Sequence, residues 1–380
     1  MTLRFLAAVT IFSVTFGFFY PAAFLQAQSH HHEEDAQQAH DSGSHETTEH
    51  GSEAEDEEFK PNEFIVEHIK DSHQWHIITT RKGRHVNIPL PVILYSKHSG
   101  FHLFSSKKLA HGQTYRGFMM GHGRLDGKSL EGKIIEVDEH GIMVEEGLPL
   151  DFSITKNVVM MMLSVVILLW VFLSLAKSYK KSGISEPRGI QGFLEPVVVF
   201  VEEDIAIPNI GEDKYQRYMP YLLTVFFFIL LNNLMGLVPF FPFGANVTGN
   251  IAVTGTLAVF TFLITQFSGN RGYWRHIFNT PGVPIWLAPI MIPVEIIGMF
   301  TKPFALMVRL FANITAGHII VLSLVSMIFI FKSLFMSVPS LVMVVFMYSI
   351  ELLVAFLQAY IFTLLSALFI GLAMPEHHHE

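Results

Sequence analysis

The sequence predicts an all-α polytopic membrane protein with two long, tilted C-terminal helices, preceded by a small, mostly β extracytoplasmic domain. Hydrophobic residues make up 51% of the 380 and charged residues only 15%, and several apolar runs approach the roughly 20 residues that cross a bilayer core. Upstream of them, residues 60–150 break into short apolar or alternating runs separated by Gly-containing turns, the pattern of strands.

The chain has no cysteine, which removes disulfides, thiolate metal sites and cysteine nucleophiles from consideration. Its net charge of −8 is unevenly spread. Residues 28–59 hold eleven acidic side chains and no Lys or Arg, leaving about +3 for the remainder (−8 + 11).

Residues 1–27 carry Arg4, an apolar core from Phe5 to Phe19, Pro21 and the small residues Ala22, Ala23 and Ala27. That order is the order of a signal peptide, and an uncleaved first membrane helix is the alternative. Either places the following residues outside the cytoplasm. Residues 28–59 have almost no large apolar side chain and read as a disordered acidic, His-rich tail. Its histidines, among them His30, His31, His32, His40, His45 and His50, are irregularly spaced, so no closed metal site is expected. In residues 60–150 the strand-like runs are Trp75 to Thr79, Val92 to Tyr95, Phe101 to Phe104 and Ile134 to Val137. No nucleophile stands there with a base at a persuasive spacing, and the domain is assigned no chemistry.

The membrane core is expected over 151–374, with a polar tail at 375–380. Its first span, Val158 to Ala176, is followed by Lys177, Lys180, Lys181 and Arg188. Residues 187–215 contain an apolar stretch, Phe193 to Val201, closed by Glu202, Glu203 and Asp204, which suits an interfacial segment. The next two spans run from Pro220 to about Val238, turning at Pro239 and Pro242, and from Ile251 to Phe267; the loop after them contains Arg271 and Arg275. Both basic loops belong in the cytoplasm, with the mature N-terminus outside and the C-terminus inside. Residues 285–331 and 339–373 are apolar for longer than one crossing requires. The second would measure on the order of 50 Å, which predicts a tilted hairpin. A kink is expected near Pro293 or Pro303.

Polar residues in that hairpin are where chemistry is expected. They are Glu295, Lys302, Arg309, Asn313 and His318 on the first helix, and Glu351 and Gln358 on the second. A charge at the bilayer centre costs at least about 2.5 kcal/mol. Arg309 keeps its charge at any physiological pH, so it cannot relay protons. It can draw the proton off an acid brought near it and repel protons crossing directly. Glu351 and Gln358 are seven residues apart and share a face; Lys302, Arg309 and Asn313 share another. Glu351 and His318 can titrate, which makes them candidates for a proton path. For Lys302, Asn313, His318 and Gln358 the bland alternative is snorkelling or an interhelical hydrogen bond.

The string PVEIIGMFTKPFALMVRLFANITAG at Pro293 to Gly317 resembles the signature of F-type ATP synthase subunit a, whose R-L-F-x-N core is here Arg309 to Asn313. NNLMGLVP at Asn232 to Pro239 and LQAYIFTLL at Leu357 to Leu365 resemble two further stretches of that family. Together the match covers about residues 155–373. The resemblance implies a non-catalytic, cofactor-free stator subunit of a bacterial inner membrane. In such a subunit Arg309 faces the carboxylates of a rotating ring of c subunits between two offset half-channels. The other expected partners are the b subunits of the peripheral stalk, the rest of the synthase and the lipid bilayer, with no nucleic acid. Family members commonly carry Glu and His where this chain has His318 and Glu351, so the pair is exchanged, as in mitochondrial versions. Their cytoplasmic acid and hydroxyl fall on Glu295 and Gly298, so the serine is missing. The N-terminal 150 residues lie largely outside the family core and resemble the longer bacterial members.

Two other classes place polar groups similarly. A secondary transporter would show a second copy of the Arg309 region, and none is found. An anchored extracytoplasmic metal receptor would leave Arg309 unexplained.

Overall fold

The computed structural model describes residues 70–374, except 80–84, 122–123, 126–127, 131, 139–141, 145–147, 183–188, 239–241, 279–284 and 332–333. The predicted signal peptide, acidic tail, Pro239 turn and polar C-terminal tail lie outside the described residues. Those described divide into two compact units, one of residues 70–157 with 318–347 and one of 158–317 with 348–374.

In the first unit the predicted runs become short antiparallel strands. β1 (Gln74–Thr79) pairs with β2 (His85–Pro89), its register shifted by a bulge between His76 and Ile78. β3 (Pro91–Ser96) lies between β4 (Gly100–Ser105) and β9 (Leu150–Asp151). β5 (Phe118–Met120) pairs with β8 (Ile134–Glu136), and β6 (Arg124–Leu125) with β7 (Lys128–Ser129). The alternation of β3 aims Val92 and Leu94 inward, both fully buried. Phe104, Leu109, Phe118 and Ile134 complete that core. Gly100 supplies the positive φ, 81°, that restarts the chain after the β3–β4 turn.

All the described α-helices lie in the membrane region expected from its apolar runs. The helices are α1 (Lys156–Ser182), α2 (Ile190–Phe200), α3 (Ile207–Ile210), α4 (Tyr215–Leu237), α5 (Ile251–Ser268), α6 (Arg271–Phe278), α7 (Ala288–Phe331) and α8 (Leu334–Leu372).

 Five of them, α1, α4, α5, α7 and α8, are long and apolar enough to cross a membrane. The predicted interfacial segment is helical: α2 passes through a π-helical stretch, Val201–Ala206, into α3, and Glu202 there accepts a hydrogen bond from the Tyr215 hydroxyl at 2.9 Å.

The second unit is built around α4, whose apolar stretch is 72% buried, against 44% for that of α5. Two adjacent asparagines brace it. Asn232 donates to the Ser164 hydroxyl of α1 at 3.1 Å, while Asn233 donates to the Ala355 carbonyl of α8 at 3.3 Å and accepts from Thr248 at 2.6 Å. Asn250 caps α5 by accepting the Ala252 N–H. α8 approaches closely through Ala355, Ala359, Thr363, Ser366 and Ala367, all buried; small side chains permit such close approach between apolar helices.

α7 is one helix of 44 residues and α8 one of 39, about 66 and 58 Å at 1.5 Å per residue. α8 starts at Leu334, five residues before the expected start, and carries Pro339 inside it. α7 begins after a short 3₁₀ turn, Ile285–Leu287, and stays helical through Pro293 and Pro303. Proline is tolerated in membrane helices where neighbouring groups re-satisfy the freed carbonyls.

Candidate functional site

In the helical unit the signature residues fall on an outward face of α7. Lys302, Arg309 and Asn313 are all exposed, and Glu295 is half-buried. The 3.6-residue period places Lys302, Arg309 and Asn313 within one stripe, together with the exposed small residues Thr301, Ala305, Ala312 and Ala316. An open groove of about 480 Å³ runs beside them, with Ile297, Thr301, Ala305, Arg309 and Leu365 in its walls. Lys302 Nζ sits 5.7 Å from the ring centre of Phe369 on α8, a cation–π contact. Arg309 has no hydrogen bond or ion pair with any other described residue. A guanidinium in apolar surroundings is costly without a counter-charge, and none of the described residues supplies one.

The α8 candidates face the other way. Glu351 and Gln358 are buried, 8% and 5% exposed, on one face as their spacing requires. Both Glu351 carboxylate oxygens are buried without a hydrogen-bond partner among the described residues. Gly317 of α7 lies directly against this group: a Cβ there would stand 2.6 Å from Oε1. Among the described residues the carboxylate is therefore not held in an ion pair.

His318 belongs to the other unit, where it is half-buried. The ammonium of Lys156, at the start of α1, lies within charge–charge range of it. Sequence reasoning did not select Lys156, Gly317 or the brace residues Asn232 and Asn233. A lysine opening an apolar helix and two asparagines inside one were the available signals. Among the described residues no three His, Asp or Glu side chains gather as a metal site would require.

Fold and site define a polytopic membrane protein whose long helical hairpin presents an arginine with no ion pair among the described residues. The family model described as ATP synthase A chain matches residues 158–371, and a domain of unknown function matches residues 64–152. The chain is 50% identical over 235 residues to "ATP synthase subunit a" of Chloroherpeton thalassium, covering 60% of this chain and 69% of that one. It is 53% identical over 240 residues to "ATP synthase subunit a 2" of Prosthecochloris aestuarii, covering 60% and 71%. It is 49% identical over 262 residues to "ATP synthase subunit a" of an Anaeromyxobacter strain, covering 65% and 62%. The chain belongs to the ATP synthase A chain family, a component of the ATP synthase membrane sector.

Proposed function

We propose that this chain is the proton-conducting stator subunit of an F-type ATP synthase, non-catalytic by itself, coupling proton flow to rotation of a ring of c subunits. The observation that carries the reading is Arg309, exposed among small residues and without a partner among the described residues. Small neighbours let another helix approach closely, and a permanent positive charge favours an approaching carboxylate in its ionised form.

A ring carboxylate reaching Arg309 gives up its proton toward a cytoplasmic half-channel that includes Glu295. After passing Arg309 it takes a new proton from an outer half-channel built on His318 and Glu351. Gln358 shares the Glu351 face and orients that path, while Asn313 lies one turn from Arg309 and contacts the ring. Arg309 itself repels protons that would cross without riding the ring. About 2.3 kcal/mol per charge per 100 mV is available to drive the cycle.

Orientation follows from Lys177 and Lys180 near the end of α1 and Arg271 and Arg275 on α6, which belong in the cytoplasm. The β-rich segment is then extracytoplasmic and the C-terminus cytoplasmic. The bacterial relatives support a plasma-membrane location, with b subunits of the peripheral stalk as further partners.

The test is ATP-driven proton pumping in inverted vesicles carrying Arg309→Ala or the unaltered chain, with assembly followed by immunoblot. Pumping is expected to vanish in the assembled variant. Normal pumping would remove Arg309 from the centre of the mechanism.

A further inference from the structure

Four ionisable side chains that the proposed channel does not use converge where the β-rich segment meets α1, within the same unit as His318. Asp71 and His73 precede β1, Asp151 ends β9, and Lys156 opens α1. His73 Nε2 is 2.8 Å from Asp151 Oδ2; His73 is 7% exposed and Asp151 16%, so the pair meets water at its aspartate end. Asp71 Oδ2 accepts the Thr155 hydroxyl at 2.7 Å, and its Oδ1 accepts the backbone N–H of Asn157 at 3.1 Å and of Ser72 at 3.0 Å. The Lys156 charge acts on both Asp71 and His318, and the His73 charge acts on Asp71.

Capping the first turn of α1 explains one oxygen acceptor. It does not explain a second, half-buried carboxylate, an imidazole and a lysine, since taking charge out of water is expensive. His73 Nδ1 and Asn157 Oδ1 are, in addition, buried without a partner among the described residues. Such atoms are ordinarily met by ordered water.

We infer that Asp151, His73 and Asp71 form a proton-collecting path that loads the outer half-channel at His318. The inference rests on the assignment of His318 to that half-channel. A proton arriving at the Asp151 carboxyl passes to His73 Nε2, one O–H bond breaking as one N–H bond forms. His73 releases a proton from Nδ1, through water, to the Asp71 carboxylate, which passes it on to His318. Each step moves one proton and no electrons are exchanged. With Asp71 ionised, Lys156 balances its charge. Once Asp71 is protonated, the same ammonium repels a proton resting on His318 and so favours its onward transfer.

The groups facing His73 are Asp151 and Asp71; those facing Asp71 are Lys156 and His73. Burial favours the neutral form of Asp71 and raises its pKa, against the lowering effects of Thr155, the Asn157 N–H, Lys156 and His73. Proton occupancy of Asp71 therefore extends above the ordinary carboxylate range, as a relay requires.

The experiment is ATP synthesis by the intact complex in liposomes, driven by an imposed proton gradient and potential, with the pH on the extracytoplasmic side varied. His73→Gln keeps a side-chain donor for Asp151 but cannot take up a proton. At about pH 8, where free protons are scarce, its rate is expected to fall about tenfold, the low end of the gains from focusing an ion into a cleft. The deficit should shrink at about pH 6, where direct uptake suffices. A structural defect would instead lower the rate by one factor at every pH. Ser106→Ala removes the non-titrating hydrogen bond from the Leu90 N–H in the same segment and is expected to show no pH-selective loss. Wild-type rates in His73→Gln, or an equal deficit at both pH values, would overturn the relay. If His73→Gln does not accumulate, Asp151→Asn is read against the same outcomes. Loss of pumping in Arg309→Ala beside an unaffected His73→Gln would leave the channel reading standing without the relay.

Discussion

Glycine 317 illustrates how one side chain, by its absence, sets the state of another. The Cβ of an alanine at this position would lie 2.6 Å from Glu351 Oε1 and 3.2 and 3.3 Å from its Cδ and Cγ. The whole end of the glutamate must then move. Because that end is flexible, the helix backbone need not follow, and the cost falls on placement more than on folding. Gly317→Ala is expected to assemble normally yet slow proton-driven ATP synthesis by about tenfold or more, since misplacing a reacting group by about 1 Å can cost about 100-fold. A wild-type synthesis rate would mean that the position of Glu351 does not limit conduction. The sequence marked Glu351 because a carboxylate in an apolar run demands a reason. It could not mark Gly317, because a glycine in a helix has no chemistry until its neighbour is known.

At the scale of elements, the two ends of α8 are held differently. Ser340 near its start donates to the Leu324 carbonyl of α7 at 2.6 Å, a contact between the two arms of the hairpin. At the other end, Gly371 abuts the backbone of Asn209, Asn270 donates its N–H to the Ala373 carbonyl at 3.0 Å, and the Tyr218 hydroxyl reaches Met374 Sδ at 3.4 Å. A Cβ on Gly371 would collide with the Asn209 carbonyl oxygen, which is backbone and cannot rotate away. Gly371→Ala is therefore expected to destabilise the folded chain by about 2 kcal/mol, within the usual range for overpacking. Gly298→Ala, with open space around the added carbon, should change stability by less than about 0.5 kcal/mol. Thermal unfolding of the detergent-solubilised complex compares them, and equal melting temperatures would show that the α8 end is not anchored there. The two long helices were legible from their uninterrupted apolar length. The contact of α8 with α4 was not, because apolar periodicity says which residues are buried and leaves the partner helix open.

Across the whole molecule, the sequence separated a strand-forming segment from a helical one through the change from alternating to continuous apolar runs. The runs at Trp75, Val92, Phe101 and Ile134 each became a strand. The His73–Asp151 pair was invisible because 78 residues separate its members, and no local pattern encodes such a meeting. Burial alone would hold His73 neutral, yet the Asp151 hydrogen bond and charge, helped by Asp71, outweigh it and raise the imidazole pKa above 6.5. Burial likewise opposes the charge of Asp151, but the His73 bond and charge, with Ser153, leave its pKa below 3.8. The stabilisation from His73 is complete below pH 6.5 and is lost as pH rises through its higher folded value; that from Asp151 is complete above pH 3.8 and is lost as pH falls through its lower folded value. Asp71, whose pKa is raised, contributes fully below pH 3.8 and loses that contribution as pH rises through its higher folded value, because folding disfavours its ionised form. The stabilisation from the His73–Asp151 pair should thus be complete between pH 3.8 and 6.5. Hydrogen exchange of the β1 amides in the intact complex, corrected for the intrinsic effect of pH, would record this as greatest protection inside that window and declining protection above it. His73→Gln, which removes the titrating ring, should weaken the decline above pH 6.5. Protection that climbs steadily to pH 8 in the unaltered chain would mean that the buried pair does not govern the stability of the segment.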